Sequence, residues 1–340
     1  MDKTNLILKY FQKSGQLTVD HEEYQKSIST FFAWLADNDK VNHDKTTKYF
    51  PNLSSKAKII AKQEGIISGI EEIEYLVKKY TGLTFKSFLK DGLKLKNHEV
   101  IAEITGKSHE ILGYERTILN ILQRMSGIAT ETNRLVKSIN RQQITDNKKP
   151  YIAATRKTPW MSLDKKAVAV GGGLTHRLNL SDGILIKDNH LVHVSIEKAV
   201  KMILNPHIYL TTGDAKEGSQ TEMYRSLGYL NGRTRKLKSE LIEIEVENFQ
   251  QAHRVIKSFS NLKSNNHLAI MLDNFTPELA KQTLTNLRKE FDLSNIIFEA
   301  SGGIDEKNIL EWAKTGVDIL SLGSLTHSTH SSNFSLEFTL

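Results

Sequence analysis

The sequence predicts an α/β chain whose larger part is a parallel β/α barrel. Two observations carry this. From about residue 150 onward, short apolar runs of strand length alternate with amphipathic helical segments, which is the pattern of repeated βα units and a parallel sheet. Each apolar run then closes on a charged, amide or glycine residue that packing does not require. A barrel sets the carboxyl end of every strand around one mouth, whereas an open doubly wound sheet gathers only a few at a switch point. At least six strand ends are marked in this way, which favours the barrel. At 340 residues the chain also has room for a smaller second domain.

Taken in order, the first hundred or so residues read as mixed. Helical periodicity runs around His21 to Asp37 and Ile70 to Tyr80, and strand-like runs cover Ala57 to Ala61 and Val100 to Ile104. From Glu115 a long helix is expected, with apolar residues at Ile118, Leu119, Leu122 and Met125 and an interruption near Ser126-Gly127. The strand candidates follow. Tyr151 to Thr155 ends at Arg156-Lys157, Gly183 to Ile186 at Lys187, and Leu241 to Val246 carries Glu243 and Glu245. Leu268 to Leu272 ends at Asp273-Asn274, Ile296 to Phe298 leads into Glu299-Ala300-Ser301-Gly302-Gly303, and Val317 to Leu322 ends at Gly323. Helices are expected over Ser195 to Leu204, Phe249 to Phe259, Pro277 to Phe291 and Asp305 to Lys314. Residues 205–239 break the rhythm, being rich in Thr, Gly, Lys and Arg with little apolar period. A structureless segment this long is unusual in a compact domain, and it reads as a surface insertion, with a mobile lid as the alternative.

Composition narrows the function. Hydrophobic residues make up 39% and charged residues 25% of the chain, the balance of a soluble globular protein. The formal charge of +7 is spread among 39 acidic residues, so the basicity reads as a solvated surface and nucleic acid is not expected as a partner. The absence of cysteine excludes disulfides, thiolate nucleophiles and cysteine-ligated metals. The amino terminus lacks a signal-peptide pattern, and no run approaches the roughly 20 apolar residues of a membrane span. A cytoplasmic protein without membrane association is expected.

The strand ends carry the chemistry. Arg156 and Lys157 cannot both be buried without anionic partners. With His176, Arg177 and Lys187 they form a cationic set of the kind that holds a small polyanion, arginine offering a planar fork and lysine a point charge. A salt-bridged barrel rim is the bland alternative. Ser301-Gly302-Gly303 lies between a strand and a predicted helix, where glycines let backbone N–H groups approach a phosphate, and Gly323 with His327 behind it repeats the arrangement. Strand alternation puts Glu243, Glu245 and Glu247 on one face, so at least one should lie at an exposed end. Glu245 and the neighbouring Asp273 suit Mg²⁺, sugar hydroxyls or a developing positive charge, and equally suit structural pairing with Lys187 or Lys157. The HLVH and HSTH strings at His190 to His193 and His327 to His330 lack the carboxylate or cysteine companions of a zinc site.

Taken together, seven ordered strings resemble the quinolinate phosphoribosyltransferases. They are ERTILNILQRMSGIAT, ATRKTPWMSLDKKAV, GGGLTHRLNLSDGILIKDNHL, IEIEVEN, IMLDN, FEASGGI and TGVDILSLGSLTHS. The match runs from about Leu112 to the carboxyl terminus, with a looser echo in AKQEGIISGIEEIEYLV. The resemblance implies a TIM-like α/β barrel over residues 118–330, with the insertion at 205–239. It also implies a smaller N-terminal α/β sandwich domain over residues 1–117, rejoined by residues 331–340. It implies condensation of quinolinate with phosphoribosyl pyrophosphate, with Mg²⁺, giving nicotinate mononucleotide, pyrophosphate and CO₂. By position, Arg156, Lys157, His176, Arg177 and Lys187 would hold the carboxylates of quinolinate and part of the sugar phosphate. Lys157 would also help where decarboxylation leaves electron density on the ring. Arg116 would reach the base across the interface of a homodimer or higher homo-oligomer. Glu245 and Asp273 would face the ribose and the metal, directly or through water, with Glu245 as the inward member of its strand. Ser301, Gly302, Gly303, Gly323 and His327 would receive the 5′-phosphate. The family's Pro-Gly-Leu-Arg continuation after the Arg-Lys-Thr string is replaced here by Pro159-Trp160-Met161-Ser162, without that arginine, and its early Gly-Asp-Ile-Thr motif is blurred into Asp44-Lys45-Thr46-Thr47. The lost arginine leaves room for a sibling phosphoribosyltransferase acting on another base, such as the molybdenum-transport-linked (ModD-like) enzymes.

Overall fold

A computed structural model describes residues 2–142, 149–204, 240–262 and 265–339. The 205–239 segment lies outside the described residues. The chain divides into two compact units, Thr4–Leu180 with Gly303–Leu340 and Ser181–Gly302 with the first three residues.

The larger unit opens with helices α1 (Lys3–Phe11) and α2 (Glu22–Asn38). An antiparallel sheet follows, ordered β12-β1-β5-β3, from β1 (Ser54–Ala61), β3 (Thr84–Ser87), β5 (Val100–Lys107) and β12 (Phe334–Thr339). A short antiparallel pair, β2 (Gly65–Ile66) and β4 (Lys94–Leu95), lies beside helix α3 (Ile70–Tyr80) in the sequence. The final strand therefore returns to the amino-terminal sheet, pairing from Lys56↔Thr339 to Ala61↔Phe334.

Helix α4 (Ser108–Arg141) is the spine of this unit. At 1.5 Å per residue it spans about 51 Å, and it runs without a break. The expected interruption at Ser126-Gly127 does not occur, because the glycine serves packing rather than helix termination. A Cβ on Gly127 would fall 2.0 Å from the carbonyl oxygen of His330, so only a hydrogen lets the returning chain lie against the helix. Next to it, Ser332 N donates to Gln123 O at 2.8 Å and Gln123 Nε2 to Phe334 O at 3.1 Å. Ile118, Leu119, Leu122, Met125, Ile128 and Leu135 are all buried at three- and four-residue spacing.

Among the described residues, six parallel strands follow in the later part of the chain. The larger unit holds β6 (Tyr151–Ala154) and β11 (Ile319–Leu322), paired in parallel from Tyr151↔Ile319 to Ala154↔Leu322, with Leu174 bridging Ala153 on its other side. The first and last strands of the alternation are thus neighbours, as closure of a barrel requires. Helix α5 (Ser162–Val170) follows β6. The smaller unit holds β7 (Ile184–Ile186), β8 (Leu241–Val246), β9 (His267–Asp273) and β10 (Ile296–Ser301), each paired in parallel with the next in sequence. Sequential order without reversal is the winding of a barrel and not of a doubly wound sheet.

Helices α6 (Asp188–Leu191) and α7 (Ile196–Leu204) follow β7, and the later helices of this unit start where their caps direct. Asn248 accepts from Gln251 N at the head of α8 (Phe249–Ser260), and Thr276 accepts from Leu279 N ahead of Pro277 in α9 (Pro277–Glu290). In the larger unit, the helix expected over Asp305 to Lys314 is reduced to one turn, α10 (Ile309–Trp312). Asp305 Oδ1 accepts from Lys307 N and Asn308 N, and Asn308 Oδ1 accepts from Asp305 N, so these side chains hold a turn in place of the first helical turn.

Candidate active site

In the larger unit the loop after β6 carries Arg156 and Lys157, both exposed. Its shape is set by a buried carboxylate. Asp164, fully buried on α5, receives both Nε and Nη2 of Arg124 at 2.8 Å, the Thr158 hydroxyl, and Trp160 N at 3.2 Å. Arg124 extends the network by donating to Thr326 O at 2.7 Å and lies 5.1 Å from the Trp160 ring centroid. Thr326 in turn donates its hydroxyl to Lys157 O at 2.8 Å. Here Thr326 sits on the single-turn helix α11 (Ser324–His327) after β11. The network brings Lys157, Gly323 and His327 together, because a Cβ on Gly323 would stand 3.0 Å from the His327 ring and 3.4 Å from Lys157 Cδ.

Beyond α5 the chain reaches His176 and Arg177. Nδ1 of His176 accepts from Arg177 N at 2.7 Å, which fixes the ring against the turn. The imidazole is 6% exposed. Arg116, on α4, points outward and pairs with Glu115 at 2.5 Å. The altered segment has its own surroundings. Trp160 packs against Phe31 of α2 with ring centroids 4.9 Å apart, and a recess of about 660 Å³ is lined by Phe31, Trp34, Trp160 and Met161 among others.

In the smaller unit Lys187 Nζ donates to Glu245 Oε2 at 2.8 Å. Lys187 N also donates to His190 Nδ1 at 2.9 Å, so His190 caps the turn Asp188–Leu191. Of the three glutamates on one face of β8, Glu247 is exposed at the strand end, as the alternation argument requires. Glu245 is not the only inward one, however. Glu243 is 3% exposed and Glu245 9%, since residues two apart on a barrel strand both point inward in successive layers, with Glu245 nearer the carboxyl end. The register Ser301↔Asp273 sets the ends of β9 and β10 side by side, and Asn274 links them by donating N to Ser301 O at 2.9 Å and Nδ2 to Asp273 Oδ2 at 2.7 Å. Gly302 has φ 93°, and a Cβ there would meet Asn274 Oδ1 at 2.2 Å, so glycine is needed both for conformation and for closeness.

Sequence reasoning missed Arg124 and Asp164, and also the fully buried Glu299 of β10. A buried acid within a strand was the available signal for Glu299. Arg124 and Asp164 are forty residues apart and meet only once α4 and α5 pack.

Comparison with known proteins agrees with this framework. Residues 44–126 match the quinolinate phosphoribosyl transferase N-terminal domain, and residues 128–209 and 216–337 match the C-terminal domain. The chain belongs to the quinolinate phosphoribosyltransferase family. It is 37% identical over 289 residues to a probable nicotinate-nucleotide pyrophosphorylase [carboxylating] of Methanocaldococcus jannaschii, covering 84% of this chain and 87% of the relative. The corresponding Bacillus subtilis protein is 33% identical over 330 residues, covering 95% and 96%. The nicotinate-nucleotide pyrophosphorylase structure from Francisella tularensis superposes with a TM-score of 0.70 at 28% identity, covering 92% of this chain and 96% of that one. The mixed α/β architecture of this family, an amino-terminal sheet followed by parallel strands, is the one described above. Among the described residues no helix is long and apolar enough to cross a membrane.

Proposed function

We propose that the protein transfers the phosphoribosyl group of phosphoribosyl pyrophosphate to quinolinate and decarboxylates the product, forming nicotinate mononucleotide, pyrophosphate and CO₂ in NAD biosynthesis. The observation that carries this reading is family membership over both domains, joined to the strand-end chemistry. In the larger unit, Arg156, Lys157, His176 and Arg177 supply cations and N–H donors for the two ring carboxylates, and Arg116 supplies another across a homodimer interface. In the smaller unit, Lys187 is positioned by its ion pair with Glu245.

As pyrophosphate leaves C1 of the ribose, positive charge develops on the sugar, and fixed carboxylates at Glu245 and Asp273 stabilise it. The ring nitrogen attacks that carbon. Loss of the adjacent carboxylate as CO₂ then leaves its electron pair on that ring carbon, where the Lys157 ammonium offsets the charge until a proton from solvent completes nicotinate mononucleotide. Ser301, Gly302, Gly303, Gly323 and His327 are proposed to receive the 5′-phosphate.

Mg²⁺ fits the donor chemistry only in part. Glu245 and Asp273 are hard oxygen donors, yet among the described residues neither belongs to a group of three close acidic or histidine ligands. Such a pair suits a metal carried by substrate phosphates and water, with the carboxylates orienting the waters. When bound, the ion would neutralise the departing pyrophosphate. The proposed location is the cytoplasm.

The test is incubation of the purified protein with quinolinate, phosphoribosyl pyrophosphate and Mg²⁺. CO₂ and nicotinate mononucleotide should form, and Lys157→Ala or Arg177→Ala should abolish both. Turnover of another base with none of quinolinate would transfer the assignment to a sibling enzyme, a reading that the missing arginine at Pro159 to Ser162 favours.

A further inference from the structure

The turn that presents His176 and Arg177 is held in an unfavourable conformation by the amino-terminal helix. His176 has φ 53°, in the left-handed region that a residue with a Cβ rarely adopts. Such a conformation persists only where its surroundings fix it. Here they do so through the carboxyl end of α1, whose last carbonyls have no partner within the helix.

His176 N donates to Phe11 O at 2.9 Å, and the Thr175 hydroxyl reaches the same oxygen at 3.1 Å. Thr175 Oγ1 also accepts from Lys13 N at 2.8 Å, and Gln12 Nε2 donates to Gly173 O at 3.1 Å. The Phe11 ring stands edge-on to the imidazole, with centroids 5.1 Å apart and planes at 83°. From beneath, Lys165, 1% exposed, donates Nζ to Thr175 O at 2.7 Å. Phe11 is itself 1% exposed, so the clamp is part of a packed interior and not a loose tail. Residues 4–13 precede the region matched by the family's N-terminal domain, which begins at residue 44.

We propose that Phe11, Gln12 and Thr175 are positioning residues for the base: the end of α1 presets the His176-Arg177 turn in its binding conformation. This rests on the reading that His176 and Arg177 hold a quinolinate carboxylate. Without the clamp, residue 176 relaxes toward negative φ and carries the ring and the Arg177 amide away. The base must then reselect the competent turn, and its apparent affinity falls by the fraction still competent. In the proposed scheme this turn serves a carboxylate of the base and the 5′-phosphate is received at Ser301 to Gly303 and Gly323, so the effect falls on the base.

The experiment compares Thr175→Val, which keeps shape and removes the hydroxyl relay, with Thr175→Ser, which restores it, and adds Phe11→Leu to loosen the ring contact. Steady-state constants are measured for both substrates, with folding checked by urea titration. Thr175→Val should raise the KM for quinolinate about ten-fold, the effect of one strategic hydrogen bond. The KM for phosphoribosyl pyrophosphate should stay within about two-fold, and Thr175→Ser should behave as the parent. Thr175→Val and Phe11→Leu both leaving the quinolinate KM within about two-fold, or moving both KM values equally, would overturn the clamp. His176→Ala separates the two levels of argument. If it raises the quinolinate KM while the clamp variants do not, the clamp alone fails; if it has no effect, the reading of the base site fails with it.

Discussion

Replacing Asp164 by leucine while Arg124 remains should destabilise the chain by about 3–5 kcal/mol, the cost of leaving one partner of a buried ion pair without the other. The structure makes this a severe case. Asp164 is fully buried, the Arg124 side chain is only 16% exposed, and both oxygens of the carboxylate are used, by two guanidinium N–H groups, a hydroxyl and a backbone amide. With a urea dependence of about 3 kcal/mol/M, the midpoint should fall by about 1 to 1.7 M. Removing both charges, in Arg124→Met with Asp164→Leu, should recover about half of this. The Thr158 hydroxyl, Trp160 N and Thr326 O then lose partners, which leaves a deficit of about 1–3 kcal/mol. Trp160 fluorescence reports the transition directly, since that ring lies on the guanidinium. Quinolinate turnover should not recover with stability, because Thr158, Trp160 and Thr326 fix the loop that carries Lys157. A double variant as unstable as the sum of the single losses would refute the argument that an unpaired buried charge dominates the cost.

Gly127→Ala should destabilise by more than the usual Gly-to-Ala change at a helix can repay, since its Cβ would overlap His330 O at 2.0 Å; hydrogen exchange at β12 should increase before that of the parallel strands. Glu72, fully buried on α3, has its carboxyl pushed up to about 7 by burial, with Asp91 adding to the effect and Lys166 opposing it. A carboxyl protonated more easily in the folded chain than in the unfolded one favours folding fully below about pH 4.5 and loses that advantage as pH rises through 7, an effect of order 3 kcal/mol. Glu72→Gln should therefore flatten the decline of stability between pH 5 and 8 in urea titrations, and an unchanged slope would contradict the assignment. Lys187→Met should leave Glu245 buried without its cation, lowering stability modestly and turnover strongly, measurable as separate changes in urea midpoint and kcat.

Much of the fold was legible because periodicity reports burial. The six strand runs from Tyr151 onward and the helices that begin at Phe249 and Pro277 follow from apolar spacing. The errors share a cause. Gly127 and the Asp305 to Asn308 turn were read by local propensity, but one answers to a tertiary contact and the other to competing side-chain hydrogen bonds. Within the candidate site, cations at strand ends were visible as chemistry without a packing reason. The Arg124 to Asp164 pair was not, because neither residue is unusual until two helices meet. The clamp on His176 was hidden more deeply still, since its acceptor is the backbone carbonyl of Phe11, and a carbonyl has no letter of its own.

The most direct test of the central claim is the stoichiometry of the reaction with carboxyl-labelled quinolinate. One CO₂ should be released for each pyrophosphate, with nicotinate mononucleotide as the only nucleotide formed. Pyrophosphate released without CO₂, or equal turnover of a base that lacks the second carboxylate, would contradict the account.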